Sequence, residues 1–167
     1  MILKNHILER YESKQEFFKL VEEKNLKVYG NKDDMNTFQI ISIKDNNFEV
    51  GIVYYDCGIE KKLILNQDIL FMGFEQSFFC INTFTSELLY ENNLLSLFLD
   101  LIQINDLIIL VCELDVYVFT SIGKYKWKIG FLDTIEEFKV IDNNILHVQC
   151  SDQEEFKFDI STGQYIR

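Results

Sequence analysis

Apolar and polar residues recur with two different periods along this chain. Between residues 14 and 25, Phe17, Leu20 and Val21 follow the helical period, and acidic residues lie outside that stripe. The stretch SKQE at the start is a capping box, in which the Ser13 hydroxyl accepts from a backbone amide of the first turn and a glutamate reaches back. The pattern predicts an amphipathic helix over about 14–25 that covers one side of a sheet.

Strand patterns follow this helix. LKVYG is typical of a short strand, and TFQIISIK and FEVGIVYYD are rich in β-branched and aromatic residues. The link DNN tolerates the left-handed backbone of a tight turn, so the last two segments are predicted to pair as a hairpin. The N-terminal stretch that contains His6 is predicted to be frayed. Residues 1–61 are therefore expected to form a unit of one helix and a β-hairpin.

Beyond this unit the chain repeats itself. Three similar segments begin at Asp68, Asp106 and Asn144, each 38 residues after the one before. Cys112 and Cys150 also align at this spacing. Each copy divides into about four short runs, separated by an Asp/Asn turn, an acidic turn and a Ser/Thr/Gly turn. This organisation is typical of a four-stranded antiparallel meander.

The middle copy contains the most apolar run of the chain, DLIILVCELDVYVF, and a membrane span is one interpretation of it. Asp100 and Asp106 lie near the middle of the apolar window, and their transfer cost cancels the gain from its apolar residues. A buried helix is also disfavoured, because the run is rich in β-branched residues and continues with strict alternation. The pattern therefore predicts core strands.

The hairpin that ends the repeat resembles one from β-propellers. VYVFTSIGKYKW at 116–127 and FKFDISTGQYI at 156–166 look like the third-to-fourth-strand hairpin of quinoprotein-type and WD-type propeller blades. In those blades an alternating strand ends in an Asp-x-x-Thr-Gly turn, and the next strand carries an aromatic residue. Asp159, Thr162 and Gly163 match that turn. The resemblance implies blade-like sheets, and it implies no quinone cofactor, because nothing here matches a cofactor site.

A fold class follows from these patterns. The resemblance covers about 62–167, with room for about three repeats, whereas known propellers need about four blades to close. We expect a single domain over 1–167 that is mainly β, and α+β overall. It should comprise the N-terminal amphipathic helix and hairpin, followed by an antiparallel β-meander of about three 38-residue blade-like repeats that is not a closed propeller.

Composition indicates the compartment of this protein and the state of its cysteines. The stretch MILKNHILERYESK reaches Glu9 and Glu12 too early for the apolar region of a signal peptide, which indicates a cytoplasmic protein. The lack of Pro and Ala and the abundance of Ile, Asn and Lys are typical of an AT-rich bacterial genome. The four cysteines form no CxxC pair and have no histidine at ligand spacing, so reduced thiols and no metal site are expected.

Charge narrows the possible partners. The formal net charge of -11 argues against nucleic acid and anionic membranes, since each phosphate contact requires a cation. The stretch from Leu63 to Gly123 contains eight acidic residues and no Lys or Arg. Two interpretations stay open for this acidic field: it keeps the protein in solution, or it forms a surface for a basic partner.

The repeat alignment places acidic residues at one equivalent turn. This turn lies between the predicted second and third strands of each copy, and in a meander such turns project from the same edge. Six carboxylates are therefore predicted to line one rim: Glu75, Glu113, Asp115, Asp152, Glu154 and Glu155. A rim that meets a basic surface would explain why their mutual repulsion is tolerated.

No motif of a nucleophilic, nucleotide-binding or zinc-dependent enzyme is present, and no cofactor is expected. We expect a non-enzymatic module that presents the acidic rim to a basic protein. In size and charge it resembles immunity proteins, so one form of the hypothesis is an inhibitor that neutralises a toxin. Two alternatives stay open: a structural subunit of a homo-oligomeric β assembly, such as a homodimer, and a small-molecule binder or enzyme with a cleft between helix and sheet.

Overall fold

Strand pairing organises the described part of the chain into four small sheets. The computed structural model describes residues 6–33 and 35–166. The first sheet has the order β1-β3-β4-β2, in which β2 and β4 are parallel and the other pairs are antiparallel. Its elements are β1 (His6–Tyr11), the helix α1 (Lys14–Lys24), β2 (Val28–Gly30), β3 (Thr37–Ile43), a 3₁₀ turn (Lys44–Asn46) and β4 (Phe48–Tyr54).

The next three sheets are antiparallel meanders in chain order. The second contains β5 (Lys62–Asn66), β6 (Ile69–Phe74), β7 (Ser77–Asn82) and β8 (Glu87–Asn93). The third contains β9 (Phe98–Ile104), β10 (Leu107–Cys112), β11 (Asp115–Thr120) and β12 (Tyr125–Gly130). The fourth contains β13 (Ile135–Ile141), β14 (Ile145–Cys150) and β15 (Glu155–Asp159), and a bridge from Phe158 to Tyr165 takes the place of a further strand. The predicted class, a mainly β meander that is not a closed propeller, is confirmed.

The N-terminal unit agrees with its sequence pattern at the helix and the hairpin. Ser13 Oγ accepts from the Glu16 amide at 3.4 Å and begins α1, and Asn25, with φ 53°, ends it. The prediction of a frayed N-terminal stretch was wrong from His6 onward, because this segment forms β1 and pairs with β3. The described side chains of β1 are exposed or half-buried, so the strand carries no apolar stripe that a sequence pattern could reveal.

The 38-residue repeat is present in the backbone as well as in the sequence. A left-handed residue precedes the second strand of each copy at the same place, with φ of 52° at Gln67, 51° at Asn105 and 57° at Asn143. In each copy the residue after the third strand donates a backbone hydrogen bond of 2.7 to 2.9 Å to the residue before the second strand. The donors are the amides of Thr83, Ser121 and Ile160, and the acceptors are the carbonyls of Asp68, Asp106 and Asn144.

The sheets pack face to face, so the core is a series of apolar layers. In β10, Ile108 and Leu110 belong to the layer shared with the second sheet, whereas Ile109 and Val111 belong to the layer shared with the fourth. A strand buried on both faces has no polar side to alternate with. This double burial explains the continuous apolar run LIILV in the middle repeat.

The two ends of this stack of four sheets are finished differently. On the first sheet, Phe17 of α1 is fully buried against Phe38 and Ile40. On the fourth sheet, Lys139, His147 and Lys157 lie side by side on the outer face, opposite the apolar layer. A helix at one end and a polar face at the other stop the addition of further sheets.

The apolar run at the centre of the chain lies in β10 and β11, in the middle of this stack. Within residues 6–33 and 35–166, no helix has both the length and the apolar composition needed to cross a membrane.

Three of the four thiols are expected to resist labelling in the folded protein. Cys80, Cys112 and Cys150 are buried, whereas Cys57 is exposed, and burial raises the pKa of Cys80 and Cys112 to about 12. Since the thiolate is the reactive form, a thiol-reactive chromophore at about pH 8 should modify one thiol quickly and the rest only in urea. The variant Cys57→Ser should lose the fast reaction. Rapid modification of two or more native thiols would contradict the layered core.

Candidate functional site

The turns between the second and third strands of successive sheets lie on one edge of the stack. The Glu75 carbonyl accepts from the amide of Phe98 at 2.6 Å, and Phe98 pairs with Cys112, directly before the corresponding turn of the third sheet. There the Glu113 carbonyl accepts from Ile135 at 2.7 Å, in the same way. Ile135 pairs in turn with Cys150, which precedes the turn that holds Asp152 and Glu154.

The side chains of Glu75 and Glu113 are half-buried and also contact the backbone. Glu75 Oε2 accepts from the Tyr55 amide at 3.4 Å, and Glu113 Oε2 accepts from the Leu97 amide at 3.3 Å. Tyr55 follows the first sheet, and Leu97 lies between the second and third. These two carboxylates therefore stabilise the connections beside the turns, in addition to placing charge at the edge.

Asp115 has a different environment from the other predicted rim residues. It is buried, with 6% exposure, and its Oδ1 lies 2.8 Å from Lys128 Nζ on the neighbouring strand. The ammonium group also lies 4.9 Å from the centre of the Tyr117 ring. The hydrogen bond with Asp115 raises the pKa of Lys128. The charge of Asp115 is thus neutralised inside the third sheet.

The last turn holds the most exposed of the predicted acids. Asp152 Oδ1 accepts from the Glu154 amide at 3.0 Å, which shapes the turn and leaves both carboxylates exposed. Glu155 instead contacts His147, with 3.1 Å between Oε2 and Nε2, and so belongs to the outer face of the fourth sheet. The structure therefore brings Asp152 and Glu154 together and separates Glu155 from them.

Beside this turn a cavity of about 450 Å³ opens, with residues the rim prediction did not include. Four rings line it: Phe131, Phe156, Phe158 and Tyr165. Asp133, Asp152 and Glu154 line it as well, and Cys150 lies among them. Burial, and then these three carboxylates, raise the pKa of the Cys150 thiol.

The sequence did not predict that the lining residues of this cavity lie together, because they come from three separated segments of the chain. Tyr165 follows the last strand, and Phe131 and Asp133 lie in the connection between the third and fourth sheets. We use the name acidic edge for the carboxylates of the second-to-third-strand turns and of this cavity: Glu75, Glu113, Asp133, Asp152 and Glu154.

A second cavity, of about 600 Å³, lies on the same edge between the first two sheets. Its lining is polar and includes Lys32, Asp33, Glu75 and Glu91. The interface between α1 and its sheet, in contrast, is filled by Phe17 and its neighbours. Within the described ranges, no group of three or more His, Cys, Asp or Glu residues is arranged to hold a metal ion.

Comparison with known proteins shows similarity at the level of fold. No family model matches this chain, and no curated protein matches it. The computationally designed protein Ika4 is 19% identical over 66% of this chain and 72% of its own, with a TM-score of 0.51. The designed protein Ika8 is also 19% identical, over 83% of this chain and 46% of its own, with a TM-score of 0.50.

A natural protein gives a similar result. The dihydro-heme d1 dehydrogenase NirN, solved in complex with DHE, is 9% identical over 78% of this chain and 32% of its own, with a TM-score of 0.51. NirN is a propeller protein, which agrees with the blade-like repeats. The chain spans less than half the length of Ika8 and about a third of NirN. At these identities the likeness concerns the fold alone.

Removal of the Lys128 charge should destabilise the protein. Lys128→Met leaves the buried Asp115 carboxylate without its cation, and we expect a loss of about 2 kcal/mol in the free energy of unfolding. Lys126→Met, an exposed lysine two residues away on the same strand, should cost no more than about 0.5 kcal/mol. Urea titration followed by tryptophan fluorescence measures both. Equal losses in the two variants would show that the ion pair contributes nothing specific.

Proposed function

We propose that this protein binds a basic protein through its acidic edge and acts as an inhibitor or neutralising partner rather than as an enzyme. The observation that carries the proposal is the cluster of three carboxylates, Asp133, Asp152 and Glu154, around an aromatic cavity. None of the described residues that line this cavity is Lys or Arg. A basic partner would supply cations to these carboxylates.

Apolar side chains beside the acids supply the rest of an interface. Leu132 is fully exposed next to the cavity, and Leu95 is 80% exposed in the corresponding connection one sheet earlier. Exposed leucines flanked by carboxylates agree with the general anatomy of an interface, in which an apolar core is surrounded by a polar rim. The acids then contribute specificity and speed of association more than affinity.

Long-range attraction supports the same kind of partner. The formal charge of -11 generates a field that attracts a basic protein before contact and repels acidic ones. Inside the fold, several acids are already paired, as Asp100 is with Lys62 and Asp115 with Lys128. Asp152 and Glu154 lie instead at an exposed turn, where their charges face the solvent.

Capture from extracts of the native host, followed by mass spectrometry, tests the proposal. The wild-type protein is expected to retain a basic protein at low salt and to release it above about 0.3 M salt. The double variant Asp152→Lys/Glu154→Lys should reduce its recovery by about tenfold or more, because reversed charges repel the same surface. Both residues are exposed, so thermal stability should change little.

A charge-matched control separates the edge from the total charge. Glu22→Lys/Glu23→Lys changes the net charge by the same amount at exposed positions on α1, and recovery should stay within about twofold of wild type. If both double variants lose the partner equally, the edge has no special role and the proposal is wrong.

A homo-oligomeric assembly is the second candidate, and one observation favours it. β1 is an edge strand of the first sheet, and its Ile7 and Leu8 side chains are 38% and 39% exposed. An unprotected edge of this kind can pair with a second copy. In the capture experiment, recovery of this chain alone, unaffected by the Asp152→Lys/Glu154→Lys change, would support the second candidate over the first.

A further inference from the structure

The cavity of the acidic edge combines two kinds of wall. Its aromatic wall is continuous: the Phe131 ring centre lies 5.3 Å from that of Phe156 and 6.0 Å from that of Phe158, and Tyr165 lies 5.8 Å from Phe158. The planes of these pairs are inclined by 60 to 70°. Rings in such different orientations offer both faces and edges to an occupant.

The second kind of wall is ionic. Asp133, Asp152 and Glu154 are exposed at the cavity, and its described lining residues include no cation. An uncharged apolar occupant would contact the rings and leave the carboxylates without a cation, whereas a small inorganic cation would not use the rings. A flat organic cation satisfies both, because aromatic faces attract positive charge and carboxylates accept its hydrogen bonds.

We propose that this cavity is a socket for an arginine side chain of the basic partner. The inference rests on the proposed function, since it names the group of the partner that the acidic edge recognises. A guanidinium is planar, stacks on aromatic rings and donates hydrogen bonds in several directions at once. The lysine ammonium is a strongly hydrated point charge that stacks less well.

The dimensions of the cavity agree with this occupant. At about 450 Å³ it has the size of a small-ligand site, so an arginine enters with part of its neighbouring backbone. Leu132, fully exposed at the entrance, is placed to contact apolar groups on either side of that arginine. The socket therefore lies at the last turn of the acidic edge, beside an exposed apolar side chain.

A capped pentapeptide, Gly-Arg-Gly-Arg-Gly, is a direct probe of the socket. Titration into ¹⁵N-labelled protein should shift the amide signals of 130–133 and 150–156, and affinity follows from the shifts. Citrulline keeps the shape of arginine and removes its charge. The peptide with citrulline in place of arginine should bind at least about tenfold more weakly. The peptide with lysine should bind about threefold more weakly.

Two protein variants test the two walls with the full chain. Tyr165→Leu and Glu154→Gln should each weaken binding of the arginine peptide by about fivefold. Tyr125→Leu is the matched control: Tyr125 is 48% exposed and Tyr165 56%, but Tyr125 lies at the start of β12, and the cavity lies at its end. Affinity of the control should not change.

Each outcome decides the proposal. If the citrulline peptide binds as tightly as the arginine peptide, the site is apolar. If the lysine peptide binds as tightly, the site recognises charge alone. Either result overturns the proposal. So does a response to Tyr125→Leu as large as that to Tyr165→Leu. If no peptide binds while Asp152→Lys/Glu154→Lys still abolishes capture, the socket is wrong and the proposed function stands. If the peptide binds as expected but the host yields no partner, the socket stands and the proposed function fails.

Discussion

Face-to-face packing of the sheets is the constraint on which this structure depends. Residues of β10 alternate between two apolar layers, so the third sheet is stable only when it is covered on both sides. A series of such sheets needs an end that is not apolar. Here Phe17 and its helix cover the first sheet, and Lys139, His147 and Lys157 form a polar outer face on the fourth. The result is an open stack of sheets in which neither end presents an uncovered apolar face.

The same packing creates the acidic edge. Backbone hydrogen bonds from each connection to the carbonyls of Glu75 and Glu113 set successive turns in line along one edge. Once these turns are aligned, acids at equivalent positions share one surface, and the last turn adds Asp152 and Glu154 beside an aromatic cavity. Asp115 is an exception: it lies next to such a turn, but its ion pair with Lys128 stabilises the third sheet and adds no charge to the edge.

Sequence patterns predicted the parts of this structure that local chemistry determines. The Ser13 cap, the helix and the 38-residue repeat depend on nearby residues, and all are present in the structure. The strand β1 was missed because its described side chains, at 7–11, are not buried and its stability comes from pairing with β3. The partner of Asp115 was missed because Lys128 pairs with Tyr117 and reaches Asp115 diagonally across the two strands. The cavity joins three distant segments, and a repeat alignment does not bring them together.

Hydrogen–deuterium exchange of the protein alone and with its captured basic partner tests the role of the acidic edge most directly. We expect slower exchange in the complex at the turns and connections of that edge, above all at 129–133 and 150–156, with smaller effects at 94–98 and 113–114. Exchange in α1 and at Lys139, His147 and Lys157 should stay the same. Protection confined to α1, to the edge strand β1 or to Lys139, His147 and Lys157 would contradict binding through the acidic edge.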